Sequence, residues 1–334
     1  MLLFCLPRRG GQRLRREMVS FAVIFAAVAP VFFLVALGAG LRRAGFVPPA
    51  LDAALLRLVV CVFYPSLILR TTLGNPALAE PANVWLPPVL GFICVSIGFA
   101  VSWWLAPLFG LKVGTGRRTF AFGVGVFNYG YLPIPLATTL FPGGETTGVL
   151  LVFNVGVEVA FWTIGIMLVS GGFNRSWWRK ALSPPIIALL IGLLLTVTGL
   201  YRWAPSFLVE GIGLLGRCAV PLGLMLTGAA LMDLAGDKGL MARPLVPLGA
   251  VGLRLAALPL AILALAKFAP GLTDELRAVI VIQSAMPAAM FPVIVGKHYG
   301  NSPRVAVQVV LATTVVSLVT IPAWLAWGLS WVKG

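Results

Sequence analysis

Ten apolar stretches, each about the length of a bilayer-spanning helix, dominate this chain. They run over 19–41, 51–72, 84–108, 117–140, 147–170, 184–201, 205–233, 244–268, 274–298 and 303–331, and a helix needs about 20 mostly apolar residues to cross the hydrocarbon core. The joints between them carry Gly, Pro and charge, as at Arg42-Arg43, Asn75-Pro76, Pro142-Gly143-Gly144 and Asp237-Lys238. Lipid offers the backbone no hydrogen-bond partner, so a bundle of helices that satisfies itself internally is the expected solution. The predicted fold class is an all-α membrane protein with the lipid bilayer as its first partner.

Composition closes off other classes. The 334 residues are 60% hydrophobic and 10% charged, whereas soluble domains carry about 25% charged residues. No polar stretch reaches the ~50 residues that a soluble domain needs. A net charge of +15 would suggest nucleic acid in a soluble protein. Here the Lys and Arg sit in short loops, where they orient helices, and no basic surface interleaved with aromatics is visible, so no nucleic acid is expected. Cys5, Cys61, Cys94 and Cys218 form no CxxC pair and read as small core residues. No cofactor or metal site is expected.

Residues 1–17 hold five Arg ahead of an apolar span too long for a signal peptide. The span reads as a retained first helix, and Met18 as a natural start, with the basic tail an extension of the reading frame. The predicted organisation is tail 1–17, a first five-helix repeat over 18–170, a loop over 171–183 and a second repeat over 184–334.

The repeat is visible in the prolines. The second and seventh stretches carry Tyr64-Pro65 and Val220-Pro221. The fourth contains Asn128-Tyr129-Gly130-Tyr131-Leu132-Pro133-Ile134-Pro135, and the ninth Ser284-Ala285-Met286-Pro287-Ala288-Ala289-Met290-Phe291-Pro292. A helix-interior proline removes a hydrogen bond and clashes with the preceding turn, costing ~3 kcal/mol. Two such prolines close together should unwind the backbone, which is tolerated at membrane depth only where it lines a cavity or is buried in protein. Since five is odd, the second repeat should insert upside down. Paired discontinuous helices in inverted repeats point to a midplane binding site with a crossover between them. Half-helices restarting at these prolines should present free N–H groups and a positive dipole end, which suits an anion. Ordinary proline kinks are the plain alternative.

The candidate solute-binding residues are therefore Asn128, Tyr129, Gly130, Tyr131, Pro133 and Pro135 on one side of the crossover. On the other they are Ser284, Met286, Pro287 and Pro292, with Gln283 beside them. Glu158 and Arg254 lie near the middle of the fifth and eighth stretches, each costing at least ~2.5–3.5 kcal/mol at bilayer centre. They read either as solute contacts, with proton coupling by Glu158, or as a structural ion pair, conceivably with each other. Arg57, Glu210 and Arg217 lie nearer helix ends and can snorkel. His298, beside Lys297, reads as a solvated loop-end residue, and the Asn174-Arg175-Ser176 sequon falls in a loop predicted to be cytoplasmic.

These motifs resemble the auxin efflux carrier family. The ninth stretch with Lys297-His298-Tyr299-Gly300, the following Thr313-Thr314 through Thr320-Ile321-Pro322, and the start from Gly38 to Arg43 with Gly45 and Tyr64-Pro65 carry the likeness over nearly all of 18–330. The resemblance implies ten helices in two inverted repeats with broken, crossing fourth and ninth helices. The first, second, sixth and seventh helices would form a scaffold, often a homodimer, and the others a moving unit that holds substrate at the crossover. It implies export of small organic anions, aromatic acids in plants and malate or malonate in some bacteria. The 171–183 loop is short, and the ninth stretch lacks the polar residue and glycine that plant members carry between its prolines. Alternatives are a sodium-coupled carrier of the bile acid symporter type, a channel, or an intramembrane enzyme. The last is opposed by the lack of HExxH, GxSxG or an aspartate-rich motif.

Charge bias sets the expected orientation in a cell (inner) membrane. Loops after the odd-numbered stretches hold twelve Lys and Arg, against five on the other side once the tail is set aside. The positive-inside rule then places both termini outside the cytoplasm and the 171–183 loop within it. A single cysteine at Ser176 in a cysteine-free background is expected to react only with reagents that reach the cytoplasm. Labelling by an impermeant maleimide in intact cells would reverse the assignment.

Overall fold

A computed structural model describes residues 21–172, 182–236, 243–290 and 302–333. The basic tail, most of the 171–183 loop with the sequon, Asp237-Lys238, Pro292 and the Lys297-to-Gly300 ending lie outside the described residues. In chain order the helical elements are α1 (Phe21–Arg43), α2 (Pro49–Thr72), α3 (Ala82–Leu105), α4 (Arg117–Gly125), α5 (Pro133–Leu140), α6 (Glu145–Ser170), α7 (Pro184–Thr198), α8 (Ser206–Ala235), α9 (Leu245–Phe268), α10 (Asp274–Ser284) and α11 (Pro303–Lys333). Among the described residues there is no strand, only an isolated antiparallel bridge between Phe127 and Ala288.

Seven of these, α1, α2, α3, α6, α8, α9 and α11, are long and apolar enough to cross a membrane. Three of the expected stretches are cut short. The fourth splits into α4 and α5, because Val126 leaves the helix in an extended conformation and the backbone restarts only at Pro133. The ninth leaves its helix after Ser284, ahead of Pro287. α7 stops at Gly199, whose φ of 72° lies in the left-handed region that L side chains avoid.

Three helices carry a π-helical turn at mid-length: Val59–Phe63 in α2, Phe161–Gly165 in α6 and Leu253–Ala257 in α9. Such turns widen the helix locally and are frequent at functional sites. All three flank the α4–α5 and α10 interruptions.

Without a hydrophobic drive between helices in lipid, association rests on close backbone approach at small residues. Gly156 of α6 meets α3 so closely that a methyl there would sit 1.7 Å from the Pro88 carbonyl oxygen. Gly228 of α8 does the same against α1, where a methyl would sit 1.8 Å from the Val35 carbonyl oxygen. The largest apolar core lies between such pairs and includes Val28 and Val35 of α1, Phe99 of α3, Phe153 of α6 and Leu224 of α8. At the end of the α1–α8 pair, Arg42 reaches Asp52 of α2 at 2.5 Å and Asp233 of α8 at 3.6 Å, tying three helix ends together.

Gly228→Val is expected to force α1 and α8 apart and lower the thermal midpoint in detergent, since overpacking of this kind costs about 1–3 kcal/mol. Gly40→Val on the same helix as Val35 has open space around it and should leave the midpoint near the wild-type value. Equal effects of the two would remove close packing as the reason for the glycine.

Candidate functional site

The two unwound segments meet. Asn128 N–H donates to the Pro287 carbonyl at 2.8 Å, and Ala289 N–H donates to the Val126 carbonyl at 3.0 Å. These bonds flank the Phe127–Ala288 pair and make a two-stranded antiparallel crossing. Each break thus supplies the hydrogen bonds that the other has lost. A third donor, Ala288 N–H, is taken by the Thr313 hydroxyl of α11 at 3.2 Å.

Two amides buttress the crossing. Asn154 of α6 donates from Nδ2 to the Tyr129 carbonyl at 2.8 Å. Gln283, on the last turn of α10, donates from Nε2 to Asn154 Oδ1 at 2.9 Å and to the same Tyr129 carbonyl at 3.3 Å. Both are buried. Sequence reasoning named Gln283 but missed Asn154, although a signal existed: it lies one helical turn before Glu158 in an otherwise apolar stretch, on the same helix face.

A cavity of about 370 Å³ opens beside the crossing. Asn128, Tyr129, Gly130 and Tyr131, four of the candidate solute-binding residues, line it together with Ala289 and Met290. The wall opposite comes from α2, where Asp52, Leu56, Val60 and Tyr64 follow one helix face. α6 adds Glu158, Phe161 and Trp162, and α8 adds Gly223 and Thr227. Gly223 leaves room for the Tyr131 ring, which a methyl would meet at 2.2 Å. The π turns of α2 and α6 put Val60, Phe161 and Trp162 on this wall. No Lys or Arg lines the cavity among the described residues.

Other predicted residues sit elsewhere. Pro133 and Pro135 begin α5 without lining the cavity. Ser284 is fully buried, its hydroxyl turned back to the Val281 carbonyl at 2.7 Å. Met286 is also fully buried in the apolar core, and Pro287 contributes its carbonyl to the crossing. Pro292 is outside the described residues. Of the two readings of Glu158 and Arg254, an ion pair with each other is not formed among the described residues. The Ser183 hydroxyl donates to Glu158 Oε2 at 3.0 Å, while Arg254 donates from Nη2 to the Ser284 carbonyl at 3.0 Å. Glu158 faces the cavity and Arg254 packs against the crossing through Phe127, away from it, so helix periodicity alone could not settle their relation. Glu210, Arg217 and Arg57 are exposed; Glu210 lies near the start of α8, whereas Arg217 stands well inside that thirty-residue helix rather than at its end.

The start of α5 also departs from expectation. Pro133 and Pro135 have no N–H. Leu132 N–H points to Asn128 Oδ1 at 3.5 Å, and Ile134 N–H is taken by the Gly130 carbonyl at 3.2 Å. The helix end therefore offers a dipole but few free donors. Asn128, its Oδ1 turned to the helix, keeps an amide nitrogen without a partner among the described residues.

The model of a family described as membrane transport protein matches residues 23–172 and 173–325. The chain belongs to this family, that of the auxin efflux carriers. A transporter of Methanocaldococcus jannaschii whose function is uncharacterised is 23% identical over 274 residues, covering 80% of this chain and 86% of the relative. Membership gives the multi-pass membrane architecture its context: the interrupted helices and the cavity between them belong to a transport protein.

Asn154→Leu keeps side-chain volume but leaves the Tyr129 carbonyl and the Gln283 amide short of partners. A lost buried hydrogen bond of this kind costs about 1–3 kcal/mol, so the thermal midpoint of the purified protein should fall and solute flux in proteoliposomes should fall further. An unchanged midpoint with unchanged flux would show that the crossing does not depend on this buttress.

Proposed function

We propose that this chain is a secondary carrier that exports a small organic anion by alternating access, holding it in the cavity beside the crossing of the two interrupted helices. The observation that carries the reading is that cavity, enclosed by Asn128–Tyr131 on one side and by α2 and α8 on the other. In this reading the chain forms ten membrane helices in two inverted repeats. The family match covers both halves of the chain, 23–172 and 173–325, and the paired proline breaks support the two-fold division. α1, α2, α7 and α8 form the scaffold, through which two copies would pair, and the remaining helices form the moving unit. The cavity lies along the boundary between them, as a solute carried by one against the other requires.

The lining favours a compact, partly aromatic body with one polar end. Tyr64, Tyr131, Phe161 and Trp162 supply apolar faces, and Asn128 supplies an amide to the polar end. Pro133, Pro135 and Pro287 hold the breaks open rather than touch the solute. The Asp52 and Ser183 end lies toward residues 44–48, the side assigned to the cytoplasm by charge bias, so solute loads from within.

Glu158 sets the coupling. Asp52 is engaged by Arg42, leaving Glu158 with only a hydroxyl partner. An anion and an ionised Glu158 would repel each other in a medium of low dielectric. A proton bound to Glu158 removes the repulsion, so anion and proton travel together. A second reading, an organic cation, is favoured by the same carboxylate and by the absence of Lys and Arg from the lining; rings and a carboxylate together suit an ammonium.

Counterflow in proteoliposomes against panels of carboxylates and amines decides between them. Saturable carboxylate exchange, greater at lower pH and unaffected when sodium is replaced by choline, is expected. Glu158→Gln should abolish the pH dependence while leaving exchange, and Asn128→Ala should raise the half-saturating concentration several-fold at unchanged yield of folded protein. Amine exchange lost in Glu158→Gln would establish the cation reading, sodium dependence would install a symporter of the sodium-coupled type, and turnover without flux would mean an enzyme.

A further inference from the structure

The anion reading leaves one physical question open: what supplies the positive charge? No Lys or Arg lines the cavity among the described residues, and the first turn of α5 has spent its donors. We infer that Arg254 is the charge that selects an anion, acting through the crossing from behind it. The inference rests on the carrier reading above and assigns its charge selectivity to one residue.

Arg254 is fully buried, in the π turn of α9. Its guanidinium reaches one strand of the crossing and the helix end that leads into the other. Nη2 holds the carbonyl of Ser284, at the end of α10, at 3.0 Å. The guanidinium carbon lies 5.1 Å from the centre of the Phe127 ring. Phe127 is the residue that pairs with Ala288, and its neighbour Asn128 lines the cavity. Successive side chains in extended backbone point to opposite faces. Phe127 therefore turns to the arginine and Asn128 to the cavity, and the crossing is a wall one strand pair thick with the cation on its far side.

Among the described residues this cation has no counter-ion. The ion pairs among the described residues are both made by Arg42, and Arg254 Nε and Nη1 have no hydrogen-bond partner there. The Cys94 thiol of α3 lies within electrostatic reach of it. A role limited to capping α10 would be met by one neutral donor. An arginine that cannot lose its proton, kept unpaired at this depth, holds the electric potential of the crossing positive in every state of the transport cycle. With Glu158 protonated the cavity is attractive to an anion; with Glu158 ionised the two charges oppose and the anion is released. Selection by a cation behind the wall leaves the lining free to be aromatic, so the solute is recognised by shape in front and by charge from behind.

The test compares phenylacetate with its uncharged isostere phenylacetamide as competitors of counterflow in wild type, Arg254→Met, Arg254→Lys and Cys94→Asp, with the fraction of folded protein followed by thermal unfolding. A unit charge about 10 Å away in a medium of effective dielectric about 20 changes affinity roughly tenfold or more. Wild type and Arg254→Lys should prefer the anion by about that factor. Arg254→Met, and Cys94→Asp, which keeps the arginine but gives it a counter-ion, should lose the preference while still binding the amide. Folded Arg254→Met that keeps the preference overturns the inference alone. Wild type without any preference for phenylacetate overturns the anion reading itself. Should Arg254→Met fail to fold, Cys94→Asp decides. If neither yields folded protein, Arg254 is a structural cation and the inference fails.

Discussion

Backbone that leaves its helix inside a bilayer has to find its hydrogen bonds within the protein, and the rest of this structure is arranged around that demand. Neither break could exist alone. The chain solves the problem by letting two breaks, far apart in sequence, pair with each other at Asn128–Pro287 and Val126–Ala289. The pairing then fixes the depth at which both helices stop. It also fixes which side chains turn to the cavity and which turn to Arg254. Asn154, Gln283 and Thr313 are consequences: each closes a backbone group that a two-residue bridge leaves open.

What was legible in the sequence follows the same logic. Prolines are local signals, so the breaks at Pro133, Pro135 and Pro287 could be read directly, and with them the four cavity residues Asn128 to Tyr131. Hydropathy likewise gives the seven long spans. It overstates the sixth, because apolar residues continue past Gly199, where the α-helix gives way to a 3-10 turn over Leu200–Trp203. Relations between helices are invisible to such signals. Ser284 reads as a polar residue beside a break, yet its hydroxyl bonds back to its own helix. Glu158 and Arg254 read as opposite charges at similar depth, yet they face different sides of the crossing. Asn154 carries the buttress, and its one local signal, a place one turn before Glu158 on the same helix face, does not tell which carbonyl it meets. The π turns have no signature in composition at all.

The distribution of charge separates the ends of the cavity from its middle. Asp52, at the mouth, is bound up with Arg42 in a cluster that also holds Asp233 and so joins α1, α2 and α8. That cluster fastens helices, and because Arg42 is shared between two acids it contributes little field further in. Glu158 is the cavity's unpaired acid, and Arg254 the unpaired base behind its wall. A charge at membrane depth without a counter-ion is unfavourable; among the described residues Arg254 has none and Glu158 has only the Ser183 hydroxyl, and the two stand on either side of a thin backbone ribbon. Stability alone would favour pairing them or replacing both with apolar residues. Their separation makes sense if the space between is where a third charge comes and goes.

Contacts within and across the cavity boundary differ in kind, and that difference bears on how a carrier of this design would move. Along α3–α6 and α1–α8 the helices meet backbone to backbone, with Gly156 under Pro88 and Gly228 under Val35. A shift of even one residue would drive a side chain into a carbonyl, so each pair behaves as a rigid body. One near contact across the boundary is the Tyr131 ring against Gly223, with Tyr64 tilted at 6.3 Å beyond it; α1 also meets α11 and α5 there, and the Ser183 hydroxyl bonds Glu158. Rings over a glycine can slide by small steps without losing a specific hydrogen bond, and an empty volume lies alongside. Packed interiors resist continuous deformation and move as blocks. The joint between blocks therefore belongs where the packing is side chain on glycine rather than backbone on backbone. That joint is the wall of the cavity, so any movement of one block against the other carries the cavity's contents with it.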